Sequence, residues 1–235
     1  MKLCSRFSYI VGGRIRFRRY VAVYLLFLLV LPPFSLAQAG KAEMIGAIKA
    51  GSLGDALRQS LQAKGYRLLV DNGTVIGELW FRNEVHAQPK KDTADILYTQ
   101  LSESTLVGVL HFPQASTDCR GQAIPAGFYS LRYALMPNDG NHLGVAPNRD
   151  FLLLIPASSD PDPNATFKFA QLVSMSGKAS GTKHPASLSL VSADSGTSPS
   201  ISKDDQEHYI FSASVKLEGG EEMPIALVVK GTAQQ

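Results

Sequence analysis

Apolar and polar positions change their period twice along this chain. Near residue 52 the spacing is helical: Leu53, Ala56, Leu57 and Leu61 fall on one face of "SLGDALRQSLQAKG". Ser52 stands where an N-cap belongs and Asp55 follows three residues later, while Gly65 occupies the place of a left-handed terminator. This pattern predicts a helix over 52–64 whose stripe packs on a sheet. From Tyr66 the period becomes two. "YRLLV" runs into Asp71-Asn72-Gly73, a tight-turn signal, and then into "TVIGELWFR", which predicts a β-hairpin. After the polar spacer "HAQPKKDTAD", the run "ILYTQL" suggests a short helix.

Strand patterns then recur as "TLVGVLHF", "GFYSLRYALM", "DFLLLIPA", "FKFAQLVSM", "ASLSLVS", "HYIFSASVKLE" and "MPIALVVKG". Clusters of Gly, Pro, Asn, Asp and Ser separate most of them. Many short strands with few helices predict a mainly β chain, a single-domain two-sheet β-sandwich (jelly-roll-like) with one N-terminal helix packed on a sheet. The uninterrupted apolar run Phe151 to Ile155 is that of a strand buried on both faces. No internal repeat divides the sequence.

The first 39 residues follow a different logic. They carry Lys2, Arg6, Arg14, Arg16, Arg18 and Arg19 without an acidic residue. The apolar run Val21 to Leu31, Pro32-Pro33 and the small-residue box Ala37-Gln38-Ala39 follow. Charged, apolar and small-residue regions in that order predict a secretory signal peptide over 1–39, with a single domain over 40–235. The apolar run is short of the roughly 20 residues that a membrane-crossing helix needs. The expectation is therefore a periplasmic or secreted protein with no stable membrane insertion after cleavage. Arg18-Arg19 leaves open whether export follows the general or the twin-arginine route.

Removing 1–39 reverses the sign of the charge. The chain has 23 basic and 20 acidic residues; the leader takes six of the basic ones, leaving 17 against 20. No basic patch with interleaved aromatics remains, which argues against nucleic acid as a partner. Cys4 leaves with the leader, so Cys119 stands alone and no internal disulfide forms.

Catalytic signatures are scarce. There is no G-x-S-x-G elbow, no H-E-x-x-H and no phosphate-binding loop. Ser200-Ile201-Ser202-Lys203 matches S-x-x-K without its companion motifs, and "SGKASGTKHP" (176–185) reads as a turn before the next strand. Asp160-Pro161-Asp162-Pro163-Asn164 imitates the start of a calcium loop, but Ala165 and Gln171 stand where Gly and Glu are required. The five histidines are scattered, so a zinc site would have to be assembled across loops, from His142 and His184 with Asp139 or Asp150.

The richest stretch is "LMPNDGNHLGVAPNRDF" (135–151). A tight reversal needs far fewer residues than Pro137 to Pro147. The excess, with clustered donors and acceptors, marks Asp139, Asn141 and His142 as ligand-binding residues, with Asp150 and Arg120 as neighbours. Asn and Asp in such loops also cap their own backbone, and that reading stays open.

The segment "RGQAIPAGFYSLRYALMPNDGNHLGVAPNRDFLLLIPA" (120–157), with "GELWFR" before it and "HPASLSL" after it, resembles an uncharacterised family of secreted bacterial β-rich proteins. The resemblance implies an exported β-rich protein and brings no reaction, cofactor or catalytic residue. Two functional expectations result. The first is a non-enzymatic binding or interaction module for a carbohydrate or envelope component, without a cofactor. The second is a metal-dependent enzyme, with calcium or zinc held by loop His and Asp side chains.

Overall fold

The computed structural model describes residues 40–71, 73–118, 121–139, 148–194 and 198–231. They lie within one compact unit, Gln38–Gln235. The leader, and with it the signal-peptide expectation, lies outside the described residues.

Alternating apolar positions set the strands. In chain order they are β1 (Gly40–Gly46), β2 (Lys64–Val70), β3 (Thr74–Phe81), β4 (Leu106–Phe112), β5 (Ser116–Thr117), β6 (Ala123–Ile124) and β7 (Gly127–Leu135). β8 (Asp150–Pro156), β9 (Ser187–Val191), β10 (Ser200–Lys203), β11 (Tyr209–Lys216) and β12 (Glu222–Lys230) follow. Ten form one sheet in the order β1-β2-β3-β4-β7-β8-β9-β12-β11-β10, every neighbouring pair antiparallel, and β5 with β6 makes a separate two-stranded sheet. The mainly β, two-sheet expectation holds at that level. The strand order does not reproduce the two comparable sheets of a jelly roll, because β1 to β9 lie beside one another almost in chain order.

The sheet curls until its first and last strands meet. A Cβ on Gly40 of β1 would stand 2.6 Å from Ile201 Cγ2 of β10. Beside this seam the Tyr209 hydroxyl donates to the Asp71 carboxylate, and Lys230 Nζ lies 3.4 Å from it, tying the β2–β3 turn to the last strands. One apolar core fills the inside, drawing on Tyr66, Phe81, Phe112, Leu131, Tyr133, Leu152, Phe211 and Ile225 from seven strands. Side chains here interdigitate by alternation: Tyr129, Leu131 and Tyr133 point inward, while Ser130, Arg132 and Ala134 face out.

The helices follow the apolar spacing only in part. Only Asp55–Gln59 (α1) of the expected 52–64 segment is helical. The chain then turns back onto the sheet: Leu61 bridges Arg82, Gln62 N donates to Phe81 O, and β2 begins at Lys64. Pairing with β3 claims the backbone groups that a longer helix would have used. "ILYTQL" forms turns rather than a helix.

The longest helix among the described residues is α2 (Phe169–Ser180), inside "FKFAQLVSM" and its continuation, where the sequence pattern predicts a strand. Phe169, Leu172, Met175 and Ala179 recur at helical spacing, so the period-two reading took too short a window. Lys168 N–H donates to Gln171 Oε1 at 2.9 Å, and Gly181, at φ 66°, ends the helix in the left-handed conformation. α2 covers the outer face of β7 and β8, packing Leu172 on Ala134, Leu153 and Ile155.

A second cover comes from the segment after β1. Ile48, Leu57 and Leu61 lie on Trp80, Leu106 and Val109 of the outer face of β3 and β4. Trp80 Nε1 donates to Gly46 O at 2.8 Å. Central strands are therefore buried on both faces, which is why β4 and β8 read as nearly continuous apolar runs and why Ser130 and Arg132 of β7 are buried.

Candidate functional site

The structure describes three of the expected site residues, Asp139, Asp150 and His184. Arg120, Asn141 and His142, like most of the 137–147 loop, lie outside the described residues. Asp139 is exposed at the end of β7's extension, and His184 is exposed in the turn after α2. There the Thr182 and Ser180 hydroxyls engage His184's backbone: His184 N–H donates to Thr182 Oγ1 at 3.0 Å, and Ser180 Oγ donates to His184 O at 2.7 Å. Asp150 is fully buried. Its carboxylate accepts Leu97 N–H (2.9 Å), Tyr98 N–H (3.0 Å) and the Tyr133 hydroxyl (2.7 Å). These bonds pin the long β3–β4 connection across β8. Among the described residues no three His, Cys, Asp or Glu side chains gather as a metal site would require.

The calcium-like stretch is organised by arginines. Asp160, fully buried, takes Arg132 Nε and Nη2 at 2.7 Å each and the Ser130 hydroxyl at 2.5 Å. Arg132 spends its remaining donors on Ser104 O, Ala165 O and Asp162 O. Its guanidinium carbon sits 4.9 Å from the Phe167 ring centre. Arg82 binds Pro163 O (2.8 Å) and Asn164 Oδ1 (2.6 Å). Two guanidinium groups thus hold a loop whose sequence suggested a cation.

Pro161 of that loop lines a groove of about 580 Å³. Gly51 to Gly54, Leu57, Pro156, Ala157 and Ser158 line it too, with Phe128 at the start of β7. Every lining side chain is uncharged. One step further along the strands, the outward positions form a row fixed by register: Arg67 opposite Glu78, Glu78 opposite His111, and His111 opposite Phe128.

The row is held side chain to side chain. Arg67 Nε and Nη2 donate to Glu78 Oε1 at 3.0 and 2.8 Å. Glu78 Oε2 lies 3.1 Å from His111 Nδ1, and the His111 ring stacks on Phe128 with centres 4.2 Å apart and planes at 15°. Partial burial raises the Glu78 carboxyl, but the bonds from Arg67 and His111 outweigh it and hold the group below its usual range. Glu78 is thus an ionised acceptor at neutral pH.

None of these four residues stood out from the sequence alone. Alternation in "TVIGELWFR" places Glu78 and Trp80 on one face, and Phe128 shares a face with Ser130 and Arg132. What alternation does not carry is cross-strand register, and register makes the row.

No family model, no curated protein and no solved structure matches this chain. Among the described residues no helix is long and apolar enough to cross a membrane.

Proposed function

We propose that this chain is an exported, non-enzymatic binding module whose ligand is a carbohydrate or another component of the cell envelope. The observation that carries the reading is the Phe128–His111 ring stack beside an uncharged groove, with Glu78 and Arg67 continuing the row on the neighbouring strands. Ligand sites of this kind combine an apolar or aromatic floor with a few fixed polar groups that set orientation. A sugar ring matches both, offering C–H faces to an aromatic surface and hydroxyls to its rim.

Export is the second half of the proposal and rests on the basic, apolar and small-residue order of 1–39. The mature chain should begin near Gly40, and N-terminal sequencing of protein recovered outside the cytoplasm checks this. Binding is tested by co-sedimentation of the mature chain with isolated envelope fractions. Phe128→Ala should lose most of the bound fraction while keeping the circular dichroism of the wild type. Equal retention of both proteins would reject the groove as the binding site.

A further inference from the structure

We infer that the groove and its row take a neutral oligosaccharide laid across the strands, its vicinal hydroxyls read by Glu78 and Arg67. The inference rests on the binding-module reading above and narrows it to a ligand class.

Register sets the length. Arg67, Glu78, His111 and Phe128 occupy matching positions on four adjacent strands. Three inter-strand steps of about 4.8 Å make a line of roughly 15 Å, longer than one sugar ring. The line begins at the groove and runs toward β1, where Glu43 stands opposite Arg67.

Pairing sets the chemistry. Glu78 is ionised and accepts only, with oxygens already oriented by Arg67 and His111. Arg67 donates only, and among the described residues its Nη1 bonds to nothing, with the side chain 44% exposed. A carboxylate next to a guanidinium is matched by two adjacent hydroxyls, one donating and the other accepting. A lone carboxylate on a ligand supplies only acceptors and meets Glu78 at close range.

Charge points the same way. Glu43 and Glu78 flank Arg67, and Lys41 Nζ pairs with Glu43 at 2.9 Å, so the row has no surplus positive charge. An anionic glycan gains no net attraction here. A cross-strand ion pair by itself would be an ordinary sheet contact. This one is continuous with a stacked aromatic pair and an uncharged groove, and its Arg67 end stays open to solvent while Phe128 packs against the cover over Trp80.

The test is isothermal titration of the mature chain with glucose, cellobiose, cellotriose and cellotetraose, in parallel with the matching mannose series. Oligogalacturonates of the same lengths serve as the acidic arm. Affinity should rise with length to the trisaccharide and then level off in at least one neutral series, with the uronates weaker. Arg67→Lys keeps the charge and removes the fork, so it should weaken the best neutral trisaccharide about tenfold without moving the thermal midpoint. Glu78→Gln should weaken it similarly.

Preference for uronates, no dependence on length, or wild-type affinity in both row variants would overturn the inference. So would absence of binding to every saccharide in the set. In that last case, retained Phe128-dependent binding to envelope fractions leaves the broader reading standing, whereas its loss removes both.

Discussion

At the scale of single residues, burial decides what a charged side chain is for. Asp160 and Arg132 are almost wholly enclosed, and each of their polar atoms has a partner. Breaking such a pair strands a charge, so Asp160→Ala should lower stability by about 3–5 kcal/mol in urea titration. An Arg132→Met, Asp160→Leu double variant should recover part of the loss, because neither charge is then buried alone. Tyr98 provides a second test. Its hydroxyl donates to Val191 O and accepts Ala226 N–H, and burial pushes its pKa from 10.0 up to about 12. Below pH 10 both folded and unfolded chains keep this proton. Between 10 and 12 the unfolded chain releases it while the folded one holds it, so the contribution to stability falls as pH rises through that window. Tyr98→Phe should unfold with a shallower pH dependence between 10 and 12, measured by denaturant midpoint. Its stability at neutral pH should be lower by about 1–3 kcal/mol because Ala226 N–H loses its acceptor.

At the scale of elements, α2 shows how sequence periods mislead. Over "FKFAQLV" the apolar positions fit a strand; only the extension through Met175 and Ala179 to Gly181 gives the helix its face and its stop. Leu172 is fully buried between the helix and β8, so Leu172→Ala should cost about 2–5 kcal/mol in chemical denaturation, the range for a core cavity. The 52–64 segment errs in the opposite direction. Its helical spacing and terminator were present, yet Gly65 serves another need: a Cβ there would sit 2.5 Å from the Trp80 ring. The glycine lets β2 pass beneath the indole. The hairpin at Asp71 to Gly73, by contrast, was legible because Asp71 (φ 43°) and Gly73 (φ 99°) both take left-handed conformations that few residues accept.

At the scale of the whole molecule, the seam between β1 and β10 holds the curled sheet at its edges. At Gly40 an added Cβ would meet Ile201 and the Leu69 carbonyl, both at 2.6 Å, and a backbone oxygen does not yield cheaply. Gly40→Ala should therefore cost about 1–3 kcal/mol by overpacking. Gly46→Ala, on the same strand with nothing within 4 Å, should stay within about 0.5 kcal/mol of wild type. Equal denaturant midpoints for the two variants would remove the seam as a stabilising contact. Edge strands left apart expose backbone groups to other chains, and closure against β10 limits that exposure.

The sequence by itself determined the local quantities. Period-two alternation marked the strands from Tyr66 through Ile155, continuous apolar runs marked those buried on both faces, and Asp-Asn-Gly marked the first turn. Such features depend on neighbours in the chain, so the chain carries them. Tertiary structure decided everything that depends on register and on what lies opposite. It made Asp150 a buried anchor, gave the calcium-like loop to Arg82 and Arg132, and curled the sheet until Gly40 met Ile201. It also brought Arg67, Glu78, His111 and Phe128 into one line, although up to 61 residues separate them in the chain. A one-residue slip in any of those pairings would turn a member of that row inward, and alternation alone is indifferent to which residue stands across the gap.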